Sequence, residues 1–471
     1  MTPPDHNRDK PAYRASRAPH NRDKPAYRAS RAPDARWWCE YAWVDGAVQA
    51  GVLIGTTNGV IESLATVDSA PTDARRLRGL VLPGMANAHS HAFHRALRGR
   101  THGAGGTFWT WRKVMYELAG RLDPDSYLRL ARAVYGEMVL AGWTTVGEFH
   151  YLHHPAGGGR YGDPNEMGHA LREAAAQAGI RLTLLDACYL AGGIDVPLDG
   201  VQHRFGDATA EQWARRVADL RDGPALRVGA AVHSVRAVPR AELPVVVAAV
   251  GGAAPLHVHL SEQPAENEVC VAAYGMTPAR LLHLAGALGP RSTAVHATHL
   301  CGEDIALLGS TGTTVAPCPT TEADLADGIG PMRELADAGC PLALGTDQHA
   351  VIDPFAEARG LETGERLRSL RRGRFGPPEL VTALTEHGHA ALGWPDAGRL
   401  AVGARADLVA VGMDTPRTAG CAPDQVIMAA SAADVHTVLV DGTVVVADGV
   451  HRTLGDVGQL LAAAVDDVWT R

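Results

Sequence analysis

Residues 80–99 read "LVLPGMANAHSHAFHRALRG", an apolar run with a Pro-Gly turn that leads directly into three histidines. Its β-forming residues predict a buried strand over residues 80–89. His89 and His91 are two positions apart, so at the end of a strand their side chains point to the same face. Two imidazoles on one face can hold one cation. This stretch therefore predicts a strand that ends in a pair of metal-competent residues.

Further β-rich runs follow and alternate with segments whose apolar residues recur at helical spacing, such as residues 124–141 and 209–221. The seven further runs lie at residues 142–151, 180–189, 225–234, 254–262, 292–300, 313–321 and 341–349. Eight strands separated by helices predict an α/β fold, a parallel (β/α)8 TIM barrel over residues 80–396. Barrels of this kind carry their active sites at the carboxyl ends of the strands.

The two ends of the chain have a different pattern. Residues 34–79 and 397–471 contain short β-rich runs with Gly turns, and each flank alone is too small for a stable core. We expect them to meet in one small β-sandwich-like domain, with Asp-Gly hairpin turns at 45–46 and 441–442. Residues 1–33 contain a tandem 14-residue duplication, "HNRDKPAYRASRAP", whose basic, aliphatic-poor composition predicts a disordered tail.

Composition narrows the class of protein. The formal net charge of −8 gives no reason to expect nucleic acid or an anionic membrane surface as a partner. No apolar stretch reaches the length of a membrane span. The seven cysteines are scattered singly, without a CxxC pair, which favours reduced thiols and a cytoplasmic location over a disulfide framework.

Metal-competent side chains stand at the ends of other predicted strands as well. His259 ends the fifth, His296 lies near the end of the sixth, and Asp347 ends the eighth. Apolar residues would fill such places more favourably if packing were their only role. Imidazoles together with a carboxylate suit zinc or a similar divalent ion with one position open for water. A zinc nucleobase deaminase with a PCxxC motif is excluded, because "PCPT" at 317–320 has no second cysteine.

These residues resemble the pattern of the amidohydrolase superfamily. The resemblance implies metal ligation by a strand-one HxH pair, a strand-five His and a strand-eight Asp, with the strand-six His296 assisting the chemistry. The implied ligands are His89, His91, His259 and Asp347. Relatives with two metals bridge them by a Lys at the end of strand four, where this chain has "AAVHSVRAV" (230–238). We therefore expect one divalent ion, most simply Zn²⁺.

His259 and Glu262 form an HxxE motif. In the single-metal deaminases that this chain resembles, that Glu moves protons. Zinc lowers the pKa of bound water to about 7, Asp347 can accept a proton, and Glu262 can deliver one so that ammonia leaves. His296 is placed to stabilise a tetrahedral intermediate. The alternative for Glu262 is a solvated charge on a helix.

The opening stretch is also similar to the hallmark of the formimidoylglutamate deiminase family, and the similarity covers essentially residues 40–450. Further motifs of that family occur in the expected order: "FWTWRKVMY" (108–116), "GWTTVGEFHYLHH" (142–154), "VHSVRAV" (232–238), "HLSEQ" (259–263), "VHATH" (295–299), "CPTTEADLADG" (318–328) and "GTDQH" (345–349). The resemblance implies a homodimeric enzyme that hydrolyses N-formimidoyl-L-glutamate to N-formyl-L-glutamate and ammonia in histidine degradation.

That substrate carries two carboxylates, for which arginine is the preferred partner. The resemblance places Arg112, Tyr151 and Arg236 on the carboxylates, with His233 beside them. Salt bridging at the surface is the alternative for Arg236, and stacking on Trp109 or Trp111 is the alternative for Arg112. His94 stands where some relatives have Gln, and it could add charge if protonated. Asp324 replaces an expected Asn.

Three other functions remain open at this stage. A related deaminase could act on a guanine, cytosine or adenosine-like base, which would call for stacking surfaces and amide contacts in place of two arginines. Imidazolonepropionase shares the fold but opens a cyclic amide. A catalytically inactive relative with a structural role would have lost a ligand or the proton shuttle, and all of these residues are present.

Overall fold

The computed structural model describes residues 34–101 and 105–470. The predicted tail with its 14-residue duplication lies outside the described residues. Fifteen strands are present in this part of the chain: β1 (Ala35–Val44), β2 (Ala47–Thr57), β3 (Val60–Thr66), β4 (Arg75–Pro83), β5 (Met85–Ser90), β6 (Trp143–His150), β7 (Arg181–Cys188), β8 (Leu226–Val232), β9 (Leu256–Leu260), β10 (Ser292–His296), β11 (Thr314–Ala316), β12 (Leu408–Val411), β13 (Val435–Val440), β14 (Thr443–Ala447) and β15 (Val450–His451).

Helices connect most of the strands. Within the described ranges the α-helices are α1 (Phe108–Arg121), α2 (Pro124–Ala141), α3 (Glu166–Ala178), α4 (Ala210–Val217), α5 (Leu243–Ala249), α6 (Pro264–Tyr274), α7 (Pro278–Leu284), α8 (Gly302–Thr311), α9 (Pro319–Asp324), α10 (Met332–Asp337), α11 (Pro354–Ser369), α12 (Pro377–Leu384), α13 (Glu386–Ala391), α14 (Val426–Ala429) and α15 (Val457–Thr470). Short 3-10 helices span Ala92–Leu97, Gly200–Arg204, Pro423–Gln425 and Ala432–Asp434.

Strands β5 to β11 form a parallel sheet in chain order, and the predicted TIM barrel is confirmed. Every residue of β5, β6 and β7 is buried, so these strands lack the alternation of buried and exposed positions that a one-sided sheet would show. Helices cover the outside of the sheet, and its interior is filled by side chains. The barrel therefore places all its carboxyl strand ends around one mouth.

Residues 341–349, the closing segment, were expected to be the eighth strand but do not form a regular one. The closing segment joins β11 through a bridge between Val315 and Leu342, and joins β5 through a bridge between Ser90 and Asp347. It therefore closes the barrel with isolated bridges. A Cβ at Gly345 would lie 2.7 Å from the Cβ of His89, so only glycine lets the two segments approach this closely.

The two chain ends meet in one sheet, as expected. Its order is β15-β14-β13-β12-β4-β1-β2-β3, a single mixed sheet of eight strands. The predicted Asp-Gly turns are confirmed, because Val44 pairs with Ala47 and Val440 pairs with Thr443 across two-residue loops. Both residues of each loop have positive φ, the conformation that suits hairpins of this length.

The run at residues 80–89 differs from its prediction as one strand. Its first residues belong to β4 of the mixed sheet, and the chain then crosses at Gly84 into β5 of the barrel. A side chain at Gly84 would collide with Thr144 and Asp407. The change of sheet is invisible in the sequence because both strands are apolar. The residue boundaries proposed for the domains stay a prediction.

A buried ion pair joins the mixed sheet to the barrel. Arg181 of β7 is fully buried, and its Nη1 donates to Oδ1 of Asp407 and to Oδ1 of Asp441, each at 3.0 Å. A buried guanidinium is tolerated only when it is paired in this way, and removal of one partner is strongly destabilising. The mixed sheet and the barrel are therefore joined by charge as well as by apolar packing.

Candidate active site and metal centre

The candidate site lies at the carboxyl ends of the barrel strands. His91 follows β5, His259 lies in β9, His296 is the last residue of β10, and Asp347 lies in the closing segment. Residues up to 258 positions apart in the chain meet here because parallel strands all end at the same mouth.

A cavity opens over these strand ends. His89 is fully buried and contacts the rings of His91 and His259. The other predicted site residues all line the cavity: His91, His94, Arg112, Tyr151, His233, Arg236, His259, Glu262, His296 and Asp347. The fold thus brings the predicted residues together, while their individual roles stay predictions.

Four side-chain atoms converge at the base of this cavity. Nε2 of His259 lies 3.1 Å from Nε2 of His89 and 3.4 Å from Nε2 of His91. Oδ1 of Asp347 lies 3.3 Å from Nε2 of His89 and 3.3 Å from Nε2 of His91. The ligands of a tetrahedral zinc ion, at bond lengths of about 2.0–2.1 Å, are themselves about 3.3 Å apart. The observed separations therefore fit such a site.

Hydrogen bonds on the outer ring nitrogens orient two of these imidazoles. Nδ1 of His91 donates to the carbonyl of Phe149 at 2.9 Å, and Nδ1 of His259 donates to the carbonyl of His233 at 2.8 Å. The inward Nε2 atoms therefore carry lone pairs. Burial lowers the pKa of His89 to about 3, which keeps this ring neutral as well. Neutral imidazoles that face a carboxylate form a donor set that fits a divalent ion.

Further titratable groups adjoin this cluster. Burial alone would raise the pKa of Asp347, but the hydrogen bond with His89 and the neighbouring histidines hold it well below its usual range. A ring nitrogen of His296 lies within 4.8 Å of donor atoms of His89, His259 and Asp347, so it could also take part in a metal site. The chain therefore contains a His/Asp cluster able to hold a divalent ion, and which of its members are ligands stays a prediction.

The backbone is strained at the same strand ends. Five non-glycine residues there have positive φ: Ser261 at 50°, His296 at 67°, Ala297 at 52°, Asp347 at 43° and His349 at 62°. Such conformations cost roughly 1–3 kcal/mol each and persist only where the surrounding structure holds them. They are typical of sites where a side chain must be aimed in one direction.

One wall of the cavity is acidic. Oε1 of Glu262 lies 3.8 Å from Nε2 of His296, whose Nδ1 lies 3.4 Å from Oε1 of Glu322. Burial opposes protonation of His296, but Glu262 and Glu322 raise its pKa to about 10. Burial raises the pKa of Glu262, which is 6% exposed and precedes α6. The alternative of a solvated helix residue is therefore wrong for Glu262.

Arg236 lies beside Glu262 and also lines the cavity. Its Nε donates to Oε2 of Glu266 at 2.9 Å, and its Nη2 lies 3.8 Å from Oε2 of Glu262. Glu266 is buried and also accepts a hydrogen bond from the backbone N–H of Ser261. Arg236 does form a salt bridge, but a mostly buried one, since its side chain is 16% exposed. It therefore combines a structural contact with a position at the cavity wall.

Arg112 of α1 is the second cation at the cavity. Its Cζ lies 5.5 Å from the ring centre of Trp109 and 5.0 Å from that of Tyr116. The expected stacking on Trp109 is thus present together with a place in the cavity lining. Trp111 instead packs edge-on against His94, with ring centres 5.2 Å apart.

His94 and Tyr151 form a hydrogen-bonded pair. Nε2 of His94 lies 2.8 Å from the hydroxyl of Tyr151, and Nδ1 of His94 has no hydrogen-bond partner among the described residues. Burial lowers the pKa of His94 well below its usual value, so the ring contributes no positive charge. If Nε2 donates, the tyrosine hydroxyl proton is directed at Sδ of Met115, a weak acceptor 3.6 Å away that a ligand oxygen could replace. If Nε2 accepts, Nδ1–H is left without a partner but is buried. The pair therefore offers a ligand at most one donor.

Sequence reasoning missed Glu148, the one carboxylate in the buried strand β6. It accepts hydrogen bonds from the hydroxyl of Ser90 and from the backbone N–H of Ala92, each at 2.7 Å, and so holds both neighbours of His91. Burial raises its pKa to about 7. Nε2 of His349 lies 3.1 Å from the same Ser90 hydroxyl. The signal available in the sequence was an isolated acid within a buried strand.

Residues near the opening stretch and the closing segment also acquire partners. Asp324 accepts a hydrogen bond from Nε2 of Gln348 at 2.7 Å, which gives the replacement of Asn a structural context. Arg95 and Arg98 both bind Glu137, at 2.8 Å and 2.6 Å. Nε of Arg98 also donates to a carbonyl of the closing segment. These two arginines are therefore anchored rather than merely solvated.

A second His/Asp group lies outside the cavity and consists of His150, His153 and Asp186. Arg216 binds both carboxylate oxygens of Asp186, at 2.8 Å and 2.9 Å. The guanidinium already balances that carboxylate, so this group is a poor match for a cation.

Comparison with known proteins places the chain among relatives of related chemistry. The model of the Amidohydrolase family matches residues 80–445. The formimidoylglutamate deiminase of Pseudomonas aeruginosa is 37% identical over 413 residues, which are 84% of this chain and 91% of that protein. The 8-oxoguanine deaminase of the same organism is 30% identical over 403 residues, 82% of this chain and 86% of that protein.

Among solved structures, the crystal structure of an amidohydrolase from Brucella melitensis superimposes with a TM-score of 0.86 at 31% identity. The match covers 92% of this chain and 100% of that chain. The resemblance to formimidoylglutamate deiminases that the motifs indicate is thereby confirmed. In the described part of the chain, no helix has the length and apolarity that crossing a membrane requires.

Proposed function

Because this chain belongs to the amidohydrolase family and is a hydrolase acting on C–N bonds, we propose that it hydrolyses N-formimidoyl-L-glutamate to N-formyl-L-glutamate and ammonia. This reaction is a step of histidine degradation. The proposal is supported by the 37% identity to a formimidoylglutamate deiminase and by the charge pattern of the cavity.

The charge pattern is the observation that carries the proposal. Arg112, Arg236, Glu262 and Asp347 all line the cavity, so cationic and anionic groups are both present there. N-formimidoyl-L-glutamate carries a cationic formimidoyl group on its α-nitrogen, an α-carboxylate on the adjacent carbon and a γ-carboxylate at the far end. Each charge of this substrate can therefore meet an opposite charge, which favours its binding. A neutral base would leave Arg112, which forms no ion pair among the described residues, without an anion.

His89, His91, His259 and Asp347 would hold one divalent ion, and Zn²⁺ matches their donor types and separations. When bound, such an ion acts as a Lewis acid that lowers the pKa of a coordinated water to about 7. The proposal of a single ion is supported by His233 at the end of strand four, where relatives with two metals carry a Lys.

The acidic residues handle the protons. Asp347 is held ionised and accepts a proton from the attacking water. Glu262, whose pKa burial raises, delivers a proton to the nitrogen that leaves as ammonia. His296 is flanked by Glu262 and Glu322 and stays protonated, so it donates to the developing negative charge of the tetrahedral intermediate.

The remaining cavity residues bind the glutamyl end. Arg112 and Arg236 contact its carboxylates, and the Tyr151 hydroxyl exchanges its weak contact with Sδ of Met115 for a hydrogen bond to the substrate. His233 is neutral because burial lowers its pKa well below the usual value, so it contributes a hydrogen bond but no charge.

Deamination of a purine-like base is the second candidate. Trp111, Tyr151, Tyr189 and Phe205 line the cavity and could stack on a base. The 30% identity to an 8-oxoguanine deaminase also favours this activity. The two cavity arginines count against it, so it ranks below the dicarboxylate substrate.

An ammonia-release assay decides between the two. We expect turnover of N-formimidoyl-L-glutamate and none of 8-oxoguanine, with about one equivalent of zinc per chain by elemental analysis of the same sample. Removal of the metal with a chelator should abolish ammonia release, and added Zn²⁺ should restore it. Activity on the base alone would refute the proposal.

The proposed setting is a cytoplasmic homodimer acting on a small molecule, without nucleic-acid or membrane partners. The net charge of −8 supports the absence of nucleic-acid and membrane partners, and cysteines that form no disulfide among the described residues support the location. The homodimer rests on the family resemblance alone. Light scattering at defined concentration measures the oligomeric state, and a monomeric mass would refute the dimer.

A further inference from the structure

Arg112 is held by a residue one helical turn further along α1. Its Nε donates to the hydroxyl of Tyr116 at 2.6 Å, and its Cζ lies 5.0 Å from the centre of the same ring. Among the described residues, the two terminal nitrogens of Arg112 have no hydrogen-bond partner. The edge of the guanidinium that suits a bidentate carboxylate contact is therefore the edge left free at the cavity.

Tyr116 is in turn fixed from a different part of the chain. Nε2 of Gln202 donates to the Tyr116 hydroxyl at 3.0 Å and lies 3.2 Å from the Tyr189 hydroxyl. Oε1 of Gln202 accepts a hydrogen bond from the backbone N–H of Asp199 at 3.0 Å, which fixes the direction of the amide. The phenolic oxygen of Tyr116 is thus a shared acceptor between Arg112 and Gln202.

The 3-10 helix that carries Gln202 is itself anchored to α1. The buried Arg204 donates from Nη2 to the carbonyl of Leu122 at 2.6 Å, and from Nη1 to the carbonyl of Ala119. Its Nε donates to the carbonyl of His154 at 2.8 Å. Helix α1 is therefore tied near its end by Arg204 and in its middle by Gln202, which leaves Arg112 little freedom to swing away.

We propose that Tyr116, held by Gln202, is a positioning residue that presents the free edge of Arg112 to one carboxylate of a dicarboxylate substrate. The inference rests on the proposed function. A free arginine side chain loses rotamer entropy when it is fixed. Fixing it before the substrate arrives removes this cost from the binding step, so Tyr116 acts on affinity rather than on bond cleavage.

Tyr116→Phe tests this, because it removes the acceptor and keeps the stacked ring. We expect the KM for N-formimidoyl-L-glutamate to rise about tenfold, near the lower end of what a lost hydrogen bond to a charged group costs, with kcat changed less than about twofold. In an Arg112→Gln background the same substitution should leave KM unchanged relative to Arg112→Gln alone. Tyr274→Phe, outside the cavity lining, is the matched control and should match the wild type in both constants.

An unchanged KM in Tyr116→Phe overturns the inference, as does an equal rise in the Arg112→Gln background, since that would indicate a general structural effect. A wild-type enzyme inactive on N-formimidoyl-L-glutamate refutes the proposed function instead. Calorimetric binding of glutarate to the zinc-loaded proteins then decides the inference separately. The inference is supported if Tyr116→Phe weakens glutarate binding when Arg112 is present and has no effect in the Arg112→Gln background. It is overturned if Tyr116→Phe and the wild type bind glutarate equally, or if the wild type does not bind glutarate.

Discussion

Glu262→Gln separates the proton shuttle from the rest of the site. Both oxygens of Glu262 lie 3.8 Å from their nearest charged partners, too far for hydrogen bonds, so the substitution breaks no hydrogen bond to them. It also removes one of the carboxylates that raise the pKa of His296, so the loss of activity includes any loss of the His296 proton. Gln has the same size, and loss of a carboxyl whose pKa burial raises leaves the folded state intact. General acid–base catalysis contributes about 10²–10⁴-fold. We therefore expect kcat to fall about 10³-fold, or about 4 kcal/mol of transition-state free energy, with KM changed less than threefold.

The assay is steady-state ammonia release from N-formimidoyl-L-glutamate, with zinc content and Tm measured on the same preparation. Both zinc content and Tm should match the wild type. Glu268→Gln, an exposed change on α6, is the matched control and should keep full activity. A kcat within tenfold of the wild type would refute the shuttle role. Loss of zinc together with activity would instead identify Glu262 as part of the metal site.

Other substitutions test the surroundings of the cluster. Glu148→Gln should weaken zinc affinity about 10- to 100-fold, because it loosens the segment that carries His91; chelator competition measures this, and an unchanged dissociation constant would contradict it. Arg236→Ala should raise KM at least tenfold and also lower the free energy of unfolding by about 3 kcal/mol, since Glu266 is left buried and unpaired; Arg236→Ala with unaltered KM would exclude a carboxylate contact. His94→Gln should change KM less than about fivefold, because a neutral amide also supplies one donor to a ligand, and a rise above fiftyfold would show that the imidazole is specifically required.

The sequence was most informative where burial is complete. Strands β6 to β9 lie within the predicted runs, because buried parallel strands are rich in β-branched and apolar residues. The closing segment departs from this pattern for two reasons. Gly345 allows the segment to approach His89 closely, and Asp347 and His349 have positive φ, which interrupts regular strand pairing. The switch between sheets at Gly84 leaves no trace in hydrophobicity.

The sequence predicted the residues that line the candidate site but not the residues that hold them in place. Metal-competent residues at strand ends carry a signal in their type and position. Glu148, Gln202 and Glu266 act through hydrogen bonds to residues 30 to 86 positions away, and no periodicity relates such partners. Arg112 was predicted from resemblance, whereas its anchor Tyr116 required the helix geometry of α1.

Strand β4 has a consequence for how the molecule is made. It lies between β1 and β12, and β12 begins 325 residues after Pro83, at Leu408. At roughly 5–20 residues per second on the ribosome, the open edge of β4 waits about 15 to 65 s for its partner to be synthesised. The barrel, which β4 leads directly into, is meanwhile translated in full. Completion of the terminal sheet therefore follows synthesis of the whole barrel. A chain cut short before Leu408 carries an unpaired strand edge that can associate with other nascent chains.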